Sequence, residues 1–201
     1  MNRYALVQIE DLERAQGPEL VSRVVSGFRC PKNAEVETFL HRQALPFTRK
    51  HVSITYLVFG GAAPDLVGYF SLTHKPLAIP EAALSRTQRK RMDQYCRADG
   101  SRGSYLVSAF LVAQFGKNYA LPQERRISGE ELMSLVLELL RAEQRRIGGQ
   151  VVFLEHEKDN TFLRSFYETN GFHFFGHRTS ETDGETYGQM FAFVRQKKDA
   201  G

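Results

Sequence analysis

The stretch FLRSFYETNGF, residues 162 to 172, sets Phe166-Tyr167 three residues ahead of an Asn-Gly-Phe stop. A phenol stays protonated at neutral pH and can hydrogen-bond a developing anion, so Tyr167 is a candidate proton donor beside a bound cofactor. The same tyrosine is equally a packing residue, since Leu163 and Tyr167 stand four apart, as do Phe162 and Phe166. A second chemical stretch is RRISGEEL, where Ser128 and Glu131 form an S-x-x-E helix start. Free backbone N–H groups at such a start receive anions, and Gly129 allows close approach. A third is VVFLEHE, in which Glu155 stands near the end of an expected strand as a candidate base and His156 alternates to the opposite face.

These residues need elements to position them. YALVQIEDL reads as a short strand, and NAEVETFLHRQALPF carries Val36, Phe39, Leu40 and Ala44 at helical spacing. SITYLVF and DLVGYFSL, joined by GGAAP, are expected to pair as an antiparallel hairpin. SYLVSAFLVAQF, residues 104 to 115, is apolar on both faces and suits a central strand. SGEELMSLVLELLRAEQRR is the longest helix, with Leu132, Val136, Leu139 and Leu140 on one stripe and Gly148-Gly149 as its stop. Strands at 151 to 157, FHFFGH and TYGQMFAFV, with a short helix over NTFLRSFYETN, complete the chain. Strand, long helix, strand implies a right-handed crossover with two parallel strands. The expected fold class is therefore α/β, a mixed and partly antiparallel sheet flanked by helices. Its ligand crevice lies at the carboxyl ends of the parallel strands, beside the helix that begins at Ser128.

Composition narrows the function classes. The chain's 201 residues, 42% hydrophobic and 25% charged, suit one domain spanning 1–201. The opening reaches Glu10 and Asp11 before an apolar run forms, and the uncharged run from Val52 to Pro64 is too short for a span. A soluble, cytoplasmic protein with no membrane contact is expected. Two distant cysteines and six histidines without paired ligand spacing indicate neither disulfides nor a metal. Net charge is +4, and Arg86, Arg89, Lys90, Arg91, Arg97 and Arg102 crowd into residues 85 to 103. That segment is either a solvated helix and loop or a patch for an acidic partner.

With this element order, the pattern N-x-x-x-x-x-F-Y-x-x-x-G-F from Asn160 resembles the GNAT-type N-acetyltransferases over nearly the whole chain. GFRCPKNAEVETFLHRQA followed by YLVF and VGYFSL is similar to the branch of small bacterial GNATs and GNAT toxins that acetylate aminoacyl-tRNA. The resemblance implies acetyl-CoA as co-substrate, no metal, and transfer of its acetyl group to a primary amine by direct attack on the thioester. Tyr167 would then be the general acid for the CoA thiolate and Glu155 the base, directly or through water. A backbone N–H among Leu111, Val112 and Ala113 would polarise the thioester carbonyl, and Asn160 would hydrogen-bond the pantetheine arm. Arg125, Arg126, Ser128 and Gly129 would receive the pyrophosphate, although this loop departs from Q/R-x-x-G-x-G/A at Ser128 and Glu130. Glu130 and Glu131 bring negative charge to that site, which Arg125, Arg126 and Lys117 can offset, and Ser71 and Thr73 are candidates for the acceptor side. The acceptor is left open between a small molecule, a protein and an aminoacyl-tRNA, as are tRNA and a second copy of the chain as partners. The competing class is a non-catalytic acyl-CoA-binding or regulatory module.

Overall fold

A computed structural model describes residues 3–61, 64–182 and 184–194. Its strands are β1 (Tyr4–Gln8), β2 (Ile54–Gly60), β3 (Asp65–Pro80), β4 (Ser104–Lys117), β5 (Val151–Glu157), β6 (His173–Thr179) and β7 (Thr186–Phe193). The helices are α1 (Ile9–Gln16), α2 (Pro18–Ser26), α3 (Ala34–Arg42), α4 (Ala44–Arg49), α5 (Arg86–Met92), α6 (Gly129–Ile147) and α7 (Thr161–Thr169). Hydrogen bonding orders the sheet β1-β2-β3-β4-β5-β7-β6, with β4 in the middle. β4 and β5 run parallel, while β2–β3, β5–β7 and β6–β7 are antiparallel, so the mixed sheet and the hairpin expected from the sequence are both present. The chain divides into two compact units, Met1–Thr73 with Val112–Val136, and His74–Leu111 with Leu137–Gly201.

In the first unit, α3 begins where Asn33 accepts the Val36 N–H at 3.1 Å, a side-chain cap of the helix start. Its apolar stripe, Val36, Phe39 and Leu40, is buried with Val21, Val25, Phe28 and Leu57. Tyr69 lies in the middle, edge-on to Phe28 at 5.2 Å, with its hydroxyl donating to the Val36 carbonyl. Gly116 faces this cluster, and a Cβ there would stand 2.5 Å from a Val36 methyl, so only glycine lets the backbone pass so close. Asn118, 4% exposed, closes the end of β4. Its side-chain oxygen accepts from the Arg29 and Ala120 N–H groups, both at 3.0 Å, and its amide donates to the Leu66 carbonyl at 2.8 Å.

In the second unit, β7 pairs along all of β5, from Val151 opposite Phe193 to Glu157 opposite Tyr187. The core joins Leu77, Ile79, Met92, Tyr105, Phe153 and Phe191. Ser85 and Gln88 form a reciprocal capping box at the start of α5, so much of the basic segment is a short helix anchored by buried Met92. The Arg91 guanidinium covers the Phe193 ring at 4.2 Å.

Candidate active site

Helix α7 is built to hold one tyrosine still. The Asn160 side chain accepts the Leu163 N–H at 3.0 Å, which starts the helix, and Gly171 at φ +87° turns the chain back at its end. That turn lets the Phe172 N–H donate to the Tyr167 carbonyl at 3.0 Å and brings the buried Phe172 ring to 6.1 Å from the Tyr167 ring. Phe166 and His156 flank the same ring at 5.3 and 6.3 Å. Tyr167 is 6% exposed, and burial pushes its pKa up to about 12, so it is a protonated donor at neutral pH. Its hydroxyl bonds to no other described residue. Asn160 is otherwise occupied. Its amide donates to the Glu157 carboxylate at 3.3 Å, so both ends of the side chain are engaged within α7 and β5.

Glu155 sits in a donor cage that its own stretch of sequence did not reveal. Both carboxylate oxygens accept from Arg178, at 2.8 and 2.7 Å, and one also accepts from Gln189 at 2.7 Å. The register explains the cage, because Glu155 stands opposite Gln189 on β7, the strand to which β6, carrying Arg178, is paired. Burial pushes the carboxyl up, but the bonds from Arg178 and Gln189 and the charges of Arg178 and Lys75 hold it below the usual carboxylate range. A carboxylate so held is a weaker base than the sequence expectation required. Because its native pKa is depressed, its stabilisation is present above the unfolded value and is lost as pH falls through the native one. Glu155→Gln is accordingly expected to cost roughly 1 kcal/mol near neutrality. Denaturant midpoints should show the difference from wild type shrinking in acid.

His156, which sequence reasoning set aside, lies 4% exposed on the opposite face. Its Nδ1 meets the Glu157 carbonyl at 2.8 Å, while Nε2 is buried with no partner among the described residues, and the ring lies over Gly188, where a Cβ would come within 2.7 Å of it. The alternation of β5 announced the face, but not the glycine beneath it.

At the start of α6 the capping box expected from the sequence is formed, with Ser128 Oγ accepting the Glu131 N–H at 3.0 Å and Glu131 accepting the Ser128 N–H at 2.9 Å. Glu131 therefore folds back onto the cap, where Arg3 also meets it at 3.0 Å. Hydrogen bonding with Ser128 leads burial in setting its pKa, which lies below the ordinary value. Among the described residues the cap takes up the Glu131 N–H and leaves those of Gly129 and Glu130 without a partner. Neither arginine before the helix is idle. Arg125 pairs with Asp65, and Arg126 donates to the Leu121 and Tyr119 carbonyls at 2.7 and 2.8 Å. On β4, pairing with β5 covers Ala109, Phe110 and Leu111, whereas the strand itself continues to Lys117. Val112 and Ala113 thus lie beyond the stretch paired with β5, whereas Leu111, opposite Phe153, lies within it. Ser71 is fully buried and bonded to Thr55 at 2.6 Å, and Thr73 donates to the Val52 carbonyl.

No family model and no curated protein matches the chain. Solved structures do. A tyrosine-to-phenylalanine mutant of KacT matches at 16% identity with a TM-score of 0.61, covering 96% of each chain. AtaT complexed with acetyl-methionyl-tRNAfMet matches at 14% identity and TM-score 0.61, over 92% of this chain and 93% of that one. AtaTR bound with AcCoA matches at 12% identity and TM-score 0.58, over 96% and 95%. The chain has the GNAT acyltransferase fold. Within the GNAT fold, β5 and α7 carry Glu155, Asn160 and Tyr167, and the loop into α6 carries Arg125, Arg126, Ser128 and Gly129. Among the described residues no helix is long and apolar enough to cross a membrane.

Proposed function

We propose that this protein transfers the acetyl group of acetyl-CoA to a primary amine by direct attack on the thioester. The observation that carries the reading is Tyr167, a phenol with an immobilised, buried ring and a hydroxyl that bonds to no other described residue, on the helix that follows β5. A fold shared with a structure bound with AcCoA supports the donor. The phenol protonates the departing thiolate, a task that needs a donor still charged with its proton at neutral pH. Gly129 and Glu130 N–H groups receive the pyrophosphate at the start of α6, helped by the helix dipole. A backbone N–H at Val112 or Ala113 polarises the carbonyl. Asn160 acts by capping the helix that carries Tyr167. Glu155, held ionised, attracts the acceptor's ammonium first, and takes its proton only from an amine as weakly basic as that of an aminoacyl ester.

The basic face of α5 makes aminoacyl-tRNA the first acceptor to test. Arg86, Arg89 and Lys90 line an open depression of about 630 Å³ with Glu81, Asp93 and Tyr105. The shared fold with AtaT complexed with acetyl-methionyl-tRNAfMet points the same way. Thiol release from acetyl-CoA, followed across small amines, lysine peptides and charged tRNA, is expected to rise with one class. A second reading, an acyl-CoA-binding module without chemistry, is favoured by the internal commitments of Arg125 and Arg126. It predicts CoA binding with no thiol release from any acceptor.

A further inference from the structure

Three cations of the first unit converge on one ring. Lys32 Nζ lies 5.4 Å, Lys117 Nζ 5.6 Å and the Arg126 guanidinium carbon 5.3 Å from the centre of Tyr119. They come from separate stretches, the α2–α3 connection, the end of β4 and the loop before α6, so helical spacing does not gather them. The scaffold does. Asn118 ties the Arg29 N–H to the end of β4, the Tyr119 N–H donates to the Arg29 carbonyl at 2.8 Å, and Arg126 is fixed on the Tyr119 carbonyl. Among the described residues none of the three is ion-paired with a carboxylate. The Glu37 carboxylate accepts the Cys30 N–H at 2.6 Å and forms no ion pair among the described residues. Like charges held together repel, and the ring's negative face offsets only part of that repulsion. An anion seated among the three would relieve that repulsion.

We propose that Lys32, Lys117 and Arg126 around Tyr119 form a binding site for a phosphate group carried on a nucleotide. Two sources share that chemistry, and the first rests on the proposed donor: the ribose phosphate of CoA, distinct from the pyrophosphate assigned to α6, or a phosphate of a polynucleotide. Arg126 holds backbone carbonyls, so the test leaves it in place and uses Lys32→Ala with Lys117→Ala, plus Lys32→Glu alone as an exposed-site variant. Melting temperatures check that each folds. CoA and dephospho-CoA, which differ by that one ribose phosphate, are titrated calorimetrically into wild type and variants. A short single-stranded RNA is titrated at several salt concentrations. If the cofactor supplies the phosphate, wild type prefers CoA by about tenfold and the preference collapses in the variants. If a polynucleotide supplies it, the two cofactors bind alike, while the double variant weakens RNA binding about tenfold and lowers the salt slope by about two. Variants that match wild type in both titrations overturn the site. A wild type that binds no CoA sinks the donor assignment instead and leaves the RNA titration to decide the site.

Discussion

Replacing Tyr167 with phenylalanine is expected to lower kcat by roughly a hundredfold or more with the fold intact and KM for acetyl-CoA little changed. The substitution keeps the ring and therefore its contacts with Phe166, Phe172 and His156. It removes only a hydroxyl that bonds to no other described residue, so the protein should lose little stability. A tyrosine that served packing alone would leave kcat near wild type. Steady-state kinetics of the purified variant, read beside its melting temperature, separate the two roles, and wild-type turnover by a stable variant would remove the phenol from the mechanism.

The largest expected effect on stability is at Asn118. Asn118→Ala removes an oxygen that accepts two backbone N–H groups and an amide that satisfies the Leu66 carbonyl, at a position 4% exposed. Each buried backbone group left unpaired costs about 1–3 kcal/mol, and water entering the small gap recovers part of it. A net loss of about 3–5 kcal/mol is expected. Asn118→Asp keeps both acceptor bonds but lacks the donor to Leu66 and buries a charge, so it should fall between alanine and wild type. Urea denaturation measures both. A loss below about 1 kcal/mol for the alanine variant would mean that the loops at the end of β4 are held by something other than this side chain.

Much of the second half was legible because its signals are local. The α6 start is written in Ser128 and Glu131, its stop in Gly148-Gly149, and the α7 frame in Asn160 and Gly171, all within a few residues of what they control. Helices α1 and α2 were not foreseen. At eight and nine residues they are short for a helical period to show, and Val21, Val24 and Val25 in α2 are β-branched, which lowers helix propensity. The α3–α4 region reads as one helix but divides around Gln43. Within the candidate site, the weakest expectations concerned residues whose partners are set by register. Glu155 meets Arg178 and Gln189 across 23 and 34 residues of sequence, which no local pattern fixes. Likewise, Arg125 and Arg126 read as free charge before a helix, yet each is engaged within the fold.

Mass analysis of the acceptor after incubation with isotopically labelled acetyl-CoA tests acetyl transfer most directly. The account predicts that wild type places the label on the acceptor's amine nitrogen in step with the thiol released, and that Tyr167→Phe slows both together. CoA bound with measurable affinity, but no label on any small amine, lysine peptide or aminoacyl-tRNA and no thiol above background, would contradict it.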